Sequence, residues 1–104
     1  MILSCFREGE RVALCIQGNF TFFDNPDLSP LAVEIERGGF SRVVIDLKSC
    51  DLIDSTGLGL LMQVNELLEE NGMRLEIHNA EGQVARMIHV AGFGGLICED
   101  QSAA

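Results

Sequence analysis

The residues best suited to chemistry form one short run, Asp54-Ser55-Thr56-Gly57, directly before a long segment that is apolar along one side. The first four backbone N–H groups of a helix have no partner inside the helix, and the helix dipole places partial positive charge there. A phosphate is therefore favoured at that point, and phosphorylation of Ser55 or Thr56 would attach one covalently. The run is therefore compatible with a phosphorylated hydroxyl at the start of a helix.

The same residues also have a simpler structural interpretation. Asp, Ser and Thr are the commonest helix caps, so any of Asp54, Ser55 and Thr56 is expected at a helix start for that reason alone. Leu58 stands three residues after Ser55, where a capping box requires Glu or Gln, so no such box engages the serine hydroxyl. Residue chemistry by itself favours the cap.

Patterns for catalysis and nucleotide binding are weak. Residues 57–59, Gly-Leu-Gly, do not complete a GxGxxG, and no GxxxxGK[ST] occurs. Ser55 lacks a surrounding GxSxG, and a trio of Ser55, His78 and Asp46 is one that a chain with two histidines yields by chance. We therefore expect no enzymatic activity and no cofactor.

Metal-binding patterns are equally weak in the linear sequence. The cysteines lie far apart, with no CxxC pair and no histidine at metal-ligand spacing. We interpret them as buried structural thiols, and we expect the histidines on the outer faces of their elements rather than at a metal. These residues are Cys5, Cys15, Cys50, Cys98, His78 and His89.

Composition limits the class of protein. The 104 residues are 47% hydrophobic, which is enough for one domain with a core at about 2–98 and a polar tail at 99–104. A formal net charge of −9 would be repelled by nucleic acid and by anionic membranes. No apolar run reaches the ~20 residues needed to cross a bilayer, and residues 1–5 do not resemble a signal peptide. We expect a cytoplasmic protein without membrane insertion.

The first half of the chain reads as a hairpin, a loop and a short helix. Alternating apolar residues predict strands at 2–6 and 11–17 around a polar turn. Two prolines and several turn-forming residues predict a loop over 20–29, and apolar residues at 31–35 then lead to a helix that stops at the glycines 38–39.

The second half alternates strands and helices. Residues 42–47 form an almost continuous apolar run, which is typical of a central strand covered on both faces. A helix follows the opening run and stops at 71–72, and residues 73–77 predict another strand. A last helix ends before Gly92, and 93–98 is a possible edge strand. We predict an α/β fold, with a mixed, mostly parallel sheet of four to five strands and three to four helices. Residues 48–57 join a strand to a helix, where such folds place functional sites.

Read together, "VVIDLKSCDLIDSTGLGLLMQVNELLEENGMRLEIHNAEGQVARMIHVAGF" strongly resembles the STAS domain family, most closely its single-domain bacterial members, the anti-sigma factor antagonists. The resemblance covers roughly residues 11–98. Its most specific part is the signature "DSTGLG", which follows a strand ending in "DL" and opens a long helix. The fold that this resemblance implies is the STAS fold.

The function implied by the resemblance is partner switching. A serine kinase of the anti-sigma type would phosphorylate the hydroxyl residue directly after the motif's Asp, which is Ser55 here, with Thr56 as the less favoured acceptor. The unphosphorylated form would bind the kinase or another target, phosphorylation would break that complex, and a PP2C-type phosphatase would restore it. The domain would then be a substrate and a switch rather than an enzyme.

The resemblance also implies a partner-binding surface around the phosphoacceptor. The family commonly has Gly-x-x-Asp after the second strand, with the acid near the phosphoacceptor. Here "GNFT" places Thr21 at the acid's position, and Asp24 follows three residues later. The same loop carries three phenylalanines. Some are expected to cap the core, and any that is exposed beside Ser55 would be a candidate contact for a partner. The predicted partner-binding residues are Asp54, Gly57, Leu58, Phe20, Thr21, Phe22 and Asp24.

Two other functions remain open. The chain is also similar to small STAS subunits attached to lipid- or anion-transport machinery, in which "DSTGLG" would be a cap and a docking surface without phosphate. Direct nucleotide binding at the helix N-terminus is weaker, because no lysine accompanies the glycines.

Overall fold

The computed structural model describes residues 2–98, and the polar tail predicted at 99–104 lies outside them. Within that range the chain forms six strands and three α-helices, with two short 3₁₀ turns at Phe22–Asp24 and Gly94–Leu96. The mixed α/β fold predicted from the sequence is confirmed. The strands are β1 (Ile2–Glu8), β2 (Arg11–Phe20), β3 (Arg42–Asp46), β4 (Cys50–Ile53), β5 (Arg74–His78) and β6 (Ile97–Cys98); the helices are α1 (Ser29–Arg37), α2 (Ser55–Glu70) and α3 (Gly82–Val90).

The sheet has the strand order β1-β2-β3-β5-β6. Strands β1 and β2 are antiparallel and joined by a two-residue turn, in which Gly9 adopts φ 61°. A left-handed conformation of this kind suits glycine, which has no Cβ to clash. All other pairings are parallel. β3 lies in the centre of the sheet, as its apolar sequence predicts.

The strand not predicted from the sequence is β4. Its residues pair in parallel with the far end of β2, where the register shifts between Gly18 and Asn19. The segment reads as a loop because it is short and polar around Asp51, and because only its two end residues, Cys50 and Ile53, are buried. The sheet therefore has six strands rather than the four or five predicted. β4 leads directly into α2 and fixes where that helix begins.

All three helices pack on one face of the sheet. Alternate residues of the strands point to that face and are buried, as expected for a period of two. Helix α2 contributes the largest helical share of the same core, and it ends at Asn71 and Gly72 as predicted. The core residues contributed by the three central strands are Val12, Leu14, Ile16, Val43, Ile45, Leu75 and Ile77.

No helix within residues 2–98 combines the length and the apolar character that crossing a bilayer requires.

Candidate functional site

The start of α2 is capped by Asp54. This residue is extended, with φ −118° and ψ −171°, and its carboxylate Oδ1 accepts a hydrogen bond from the Gly57 N–H at 3.1 Å. Its backbone carbonyl accepts the first helical bond, from the Leu58 N–H at 2.9 Å. Of the three cap candidates in the sequence, Asp54 is the one that takes this position. Ser55 and Thr56 become the first two helical residues.

The second oxygen of Asp54 reaches a different segment. Oδ2 accepts a hydrogen bond at 3.0 Å from the backbone N–H of Phe22, 32 residues earlier, in the 3₁₀ turn after β2. The pKa of Asp54 lies below its ordinary value because the N–H groups of Phe22 and Gly57 stabilise the charged form. One carboxylate thus joins the helix start to the loop Thr21–Asp24.

The side chain of Gln83 binds the backbone of Ile53, the residue that precedes the helix cap. Its side-chain amide accepts from the Ile53 N–H at 3.0 Å and donates to the Ile53 carbonyl at 2.8 Å, as a neighbouring strand would. Gln83 lies 30 residues away in α3, so no local sequence pattern points to this contact. The sequence analysis missed it. The residue before the cap is fixed by these two bonds.

Gly57 allows α2 to approach the sheet closely. A Cβ at this position would overlap the backbone carbonyl oxygen of Phe20 and lie 2.7 Å from Cγ1 of Ile53. Neither neighbour can move freely, because Phe20 and Ile53 are both buried in the core. A Cβ on Gly59, two residues later, would have no neighbouring atom within 4 Å. The first glycine is therefore required for packing and the second is not.

The Ser55 side chain is exposed, whereas Thr56 is half-buried. Among residues 2–98, the Ser55 hydroxyl has no hydrogen-bond partner. Asp54 makes no bond to it, because its carboxylate oxygens accept from the backbone N–H groups of Phe22 and Gly57 instead. The site thus presents one hydroxyl to solvent on a helix start that is held in place by its neighbours.

The turn whose backbone bonds to Asp54 carries two exposed aromatic side chains. Phe22 is 67% exposed and Phe23 is 93% exposed, and their rings meet edge to face with centroids 5.8 Å apart. Adjacent exposed aromatic residues are candidates for a contact surface. The sequence left open which phenylalanines of this loop are exposed, and the structure exposes these two and buries Phe20.

Residues 5–98 match the family model described as "Mlab, STAS domain". The chain belongs to the STAS domain family. Its resemblance to anti-sigma factor antagonists within that family also has support in sequence. The anti-sigma-B factor antagonist of Staphylococcus aureus is 23% identical over 82 residues, which cover 79% of this chain and 76% of that protein.

Solved structures agree on the fold of this STAS domain. The anti-sigma factor antagonist SpoIIAA in its unphosphorylated form matches with a TM-score of 0.83 at 17% identity, over 98% of this chain and 92% of that one. The Bacillus cell fate determinant SpoIIAA in the phosphorylated form matches with a TM-score of 0.76 at 16% identity, over 98% and 96%. The predicted STAS fold is confirmed.

Four of the residues predicted to bind a partner are buried in this STAS domain. Phe20 is fully excluded from solvent, and Leu58 joins the same core cluster. Thr21 is 7% exposed, and Gly57 is buried at the contact between helix and sheet. Apolar burial outweighs exposure here because the end of β2 and the first turn of α2 pack together. In the free domain these four residues therefore lie beneath the surface at the start of α2.

Thr21 and Asp24, both predicted as partner-binding residues, bond to each other. The Thr21 hydroxyl donates a hydrogen bond to the carboxylate of Asp24. The Asp24 N–H in turn donates to the Thr21 carbonyl at 3.0 Å, which closes the short turn. The carboxylate of Asp24 is thus held next to the Thr21 side chain.

Proposed function

We propose that this STAS domain is a phosphorylation-controlled partner switch of the anti-sigma factor antagonist type. In this proposal the unphosphorylated form binds a serine kinase of the anti-sigma type or another target, and phosphate on Ser55 releases it. The observation that carries the proposal is the exposed Ser55 hydroxyl, which is left without a partner among residues 2–98 while Asp54 caps the helix. Thr56 is a weaker acceptor because it is half-buried.

Release acts across the interface and not through the fold of the domain. A phosphate at the first position of α2 is favoured by the helix dipole, so it does not unfold the helix. It does add a charge of about −1.5 to −2 to a surface that already carries Asp51 and Asp54, in a chain of net charge −9. A partner that has desolvated the neutral hydroxyl meets a strongly hydrated anion instead.

The energy required is modest. A loss of about 1.4 kcal/mol weakens binding tenfold, so a hundredfold switch needs about 3 kcal/mol. Leaving a charged group unpaired at an interface costs that much or more. No large change of shape is needed, and the clamped helix start is consistent with a switch that works by charge.

The aromatic pair supplies the apolar part of the binding surface. Phe22 and Phe23 are attached to the phosphoacceptor helix through the bond from the Phe22 N–H to Asp54. Because that bond joins their turn to the residue directly before Ser55, we propose that a partner covering the pair also covers the hydroxyl. We assign Phe22 and Phe23 as contact residues, together with Asp54, and we assign Asp24 as the substitute for the family's acid.

The remaining roles are those that the resemblance to anti-sigma factor antagonists implies. A PP2C-type phosphatase restores the unphosphorylated form, and this STAS domain is the substrate of both enzymes without being one itself. Because the kinase requires ATP, we propose that the exchange takes place in the cytoplasm.

Binding of charge variants tests the proposal. Affinity for a serine kinase of the anti-sigma type from the same organism is measured by calorimetry for Ser55→Asp, Ser55→Ala and Ser29→Asp. We expect Ser55→Asp to weaken binding by about a hundredfold and Ser55→Ala to leave it within about twofold. Ser29→Asp adds the same charge at the start of α1 and is the control. Equal affinities for Ser55→Asp and Ser29→Asp would contradict the proposal.

The aromatic surface has its own test with the same kinase. Phe22→Ala and Phe23→Ala are each expected to weaken binding by roughly tenfold, since truncated anchor residues cost more than 1 kcal/mol. Val90, which is 85% exposed on α3, provides the matched control Val90→Ala. If Val90→Ala weakens binding as much as the phenylalanine variants do, the binding surface lies elsewhere.

A second candidate is a constitutive subunit of a transport assembly. The observation that favours it is the family model itself, whose description names Mlab. In this case the first turn of α2 would be a docking surface without phosphate. Purification of the tagged chain from detergent-solubilised membranes separates the candidates: co-purification with a membrane ATPase complex, undiminished in Ser55→Asp, supports the subunit, whereas loss in Ser55→Asp supports the switch.

A further inference from the structure

The outer face of the sheet, opposite the helices, carries a cluster of three side chains with metal-binding atoms. Glu76 and His78 are two residues apart on β5, so they point to the same face. Cys98 on β6 is the direct register partner of His78. One ligand atom from each of the three lies within 4.8 Å of the others. Parallel pairing of β5 and β6 brings them together across twenty residues of sequence.

We propose that Glu76, His78 and Cys98 form a binding site for a transition-metal ion, with Zn²⁺ as the preferred occupant. A thiolate, an imidazole and a carboxylate are the three ligand types that Zn²⁺ uses in proteins. Mg²⁺ and Ca²⁺ prefer sites made entirely of oxygen, so they do not suit a site with sulfur and nitrogen. Zn²⁺ is usually four-coordinate, so three protein ligands leave the fourth position for a water molecule.

The geometry between Glu76 and His78 favours such an ion. Oε1 of Glu76 lies 3.2 Å from Nε2 of His78, so the two atoms are within hydrogen-bond distance. A metal ion between them would bind the carboxylate oxygen and the unprotonated Nε2, and it would bind the Cys98 sulfur as a thiolate. The protons that these ligands lose go to solvent. The two β5 side chains are already sheltered, with exposures of 14% for Glu76 and 17% for His78.

Two neighbouring arginines also contact the carboxylate of Glu76. Arg42 lies 3.1 Å from Oε2 and 3.4 Å from Oε1, and Arg74 lies 3.3 Å from Oε2. Contacts of this kind fix the orientation of a metal ligand. Oε1 therefore faces both His78 and Arg42, whereas Oε2 faces the arginines.

A metal ion at this site would join the last described strand to the rest of the sheet. β6 has only two residues, and two-residue pairing contributes little stability by itself. Ligands from both β5 and β6 would hold the strands together at the position of the His78–Cys98 pair. The site shares no residue with the Ser55 surface, so it is independent of the proposed switch.

Cobalt and zinc titrations of the full chain test the site. After treatment with a chelator, the chain is titrated with Co²⁺ and read by absorbance, and with Zn²⁺ and read by calorimetry. We expect one ion per chain and a thiolate-to-cobalt charge-transfer band. Cys98→Ser should abolish the band, and His78→Gln should weaken Zn²⁺ binding by roughly tenfold or more.

Two variants that remove the same kinds of side chain elsewhere in the chain serve as controls. Cys15→Ser removes a thiol from the same sheet face two strands away, and His89→Gln removes an imidazole on α3; neither should change the titrations. Thermal unfolding without metal shows whether each variant folds. If Cys98→Ser does not fold, the loss of Zn²⁺ binding in His78→Gln is the test of the site. Absence of the band in the wild-type chain, or a band that survives Cys98→Ser, would overturn the proposal.

Discussion

Helices α1 and α2 both have a serine at their first position and an aspartate close before it, yet the two hydroxyls differ. At α1 the Ser29 hydroxyl and the Ser29 N–H both donate to Oδ1 of Asp27, two residues earlier. At α2 the Ser55 hydroxyl has no partner within residues 2–98, and Asp54 binds the N–H groups of Gly57 and Phe22 instead.

The difference shows how tertiary contacts decide which hydroxyl is available. Within the described part of the chain, Asp27 accepts hydrogen bonds only from Ser29, two residues later, which is a local arrangement that Asp-x-Ser sequences commonly form. Asp54 sits one residue closer to the helix, and its carboxylate accepts from the N–H groups of Gly57 and of Phe22, 32 residues away, rather than from the serine hydroxyl. The Ser55 hydroxyl is left without a partner among residues 2–98, whereas the Ser29 hydroxyl is bonded to Asp27.

The largest expected effect comes from adding a methyl group at Gly57, where α2 approaches the sheet closely. Gly57→Ala places a Cβ against the carbonyl of Phe20 and against Ile53, so α2 must shift. We expect a loss of at least roughly 1–3 kcal/mol in the free energy of unfolding, measured by urea denaturation. Gly59→Ala has open space and should be neutral or stabilising by up to about 1 kcal/mol, because alanine favours helix. Equal stability of the two variants would show that Gly57 is not required for packing.

A smaller effect separates the two aspartates. Asp54→Ala loses one bond within its helix and one to a distant loop, whereas Asp27→Ala loses only local bonds. We therefore expect Asp54→Ala to lower Tm more than Asp27→Ala. Hydrogen exchange should also accelerate at the Phe22 and Gly57 amides in the first variant alone. If Asp27→Ala lowers Tm by as much, the link between α2 and the aromatic turn is not stabilising.

The smallest effect is a change of pKa in the matched serine variants. The pKa of Asp27 is lowered first by the hydrogen bond from the Ser29 side chain and then by its N–H, whereas that of Asp54 is lowered by the N–H groups of Phe22 and Gly57. Carboxyl titration by NMR should show the pKa of Asp27 rising in Ser29→Ala. The pKa of Asp54 should stay unchanged in Ser55→Ala. A rise in the pKa of Asp54 in Ser55→Ala would mean that the serine hydroxyl donates a hydrogen bond to that carboxylate, which would contradict the structure.

The sign of the pH dependence follows from those shifts. Folding lowers the pKa of both carboxyl groups, so the unfolded chain binds protons more readily than the folded one in the acid range. The stability that these groups contribute is present above the ordinary carboxyl pKa and is lost as the pH falls through the lowered folded value. Asp54→Asn should flatten this acid limb in a plot of stability against pH.

Local sequence patterns predict the parts of the fold that depend on local signals. Alternation predicts the β1–β2 hairpin, an unbroken apolar run predicts the central strand β3, and Asn71-Gly72 predicts the end of α2. The same patterns place Ser55 at the start of a helix. Burial at the junction is not predicted, because whether Phe20 and Leu58 face solvent depends on how closely β2 and α2 approach, and Gly57 sets that distance.

Contacts between distant segments account for the rest. Gln83 binds the backbone of Ile53 from another helix, and β4 exists only because β2 extends far enough to pair with it. His78 and Cys98 have no metal-ligand spacing in the sequence, and they meet only through the pairing of β5 with β6. None of these contacts has a signal within one turn or one strand of the chain.

Phosphosite mapping tests the central claim most directly. The full chain is incubated with ATP and a serine kinase of the anti-sigma type from the same organism, and the modified residues are identified by mass spectrometry. The account predicts phosphate on Ser55 and none on Ser29, with the modification lost in Ser55→Ala and retained in Ser29→Ala. Phosphate on Ser29 with Ser55 unmodified, or no phosphate on either Ser55 or Thr56, would contradict it.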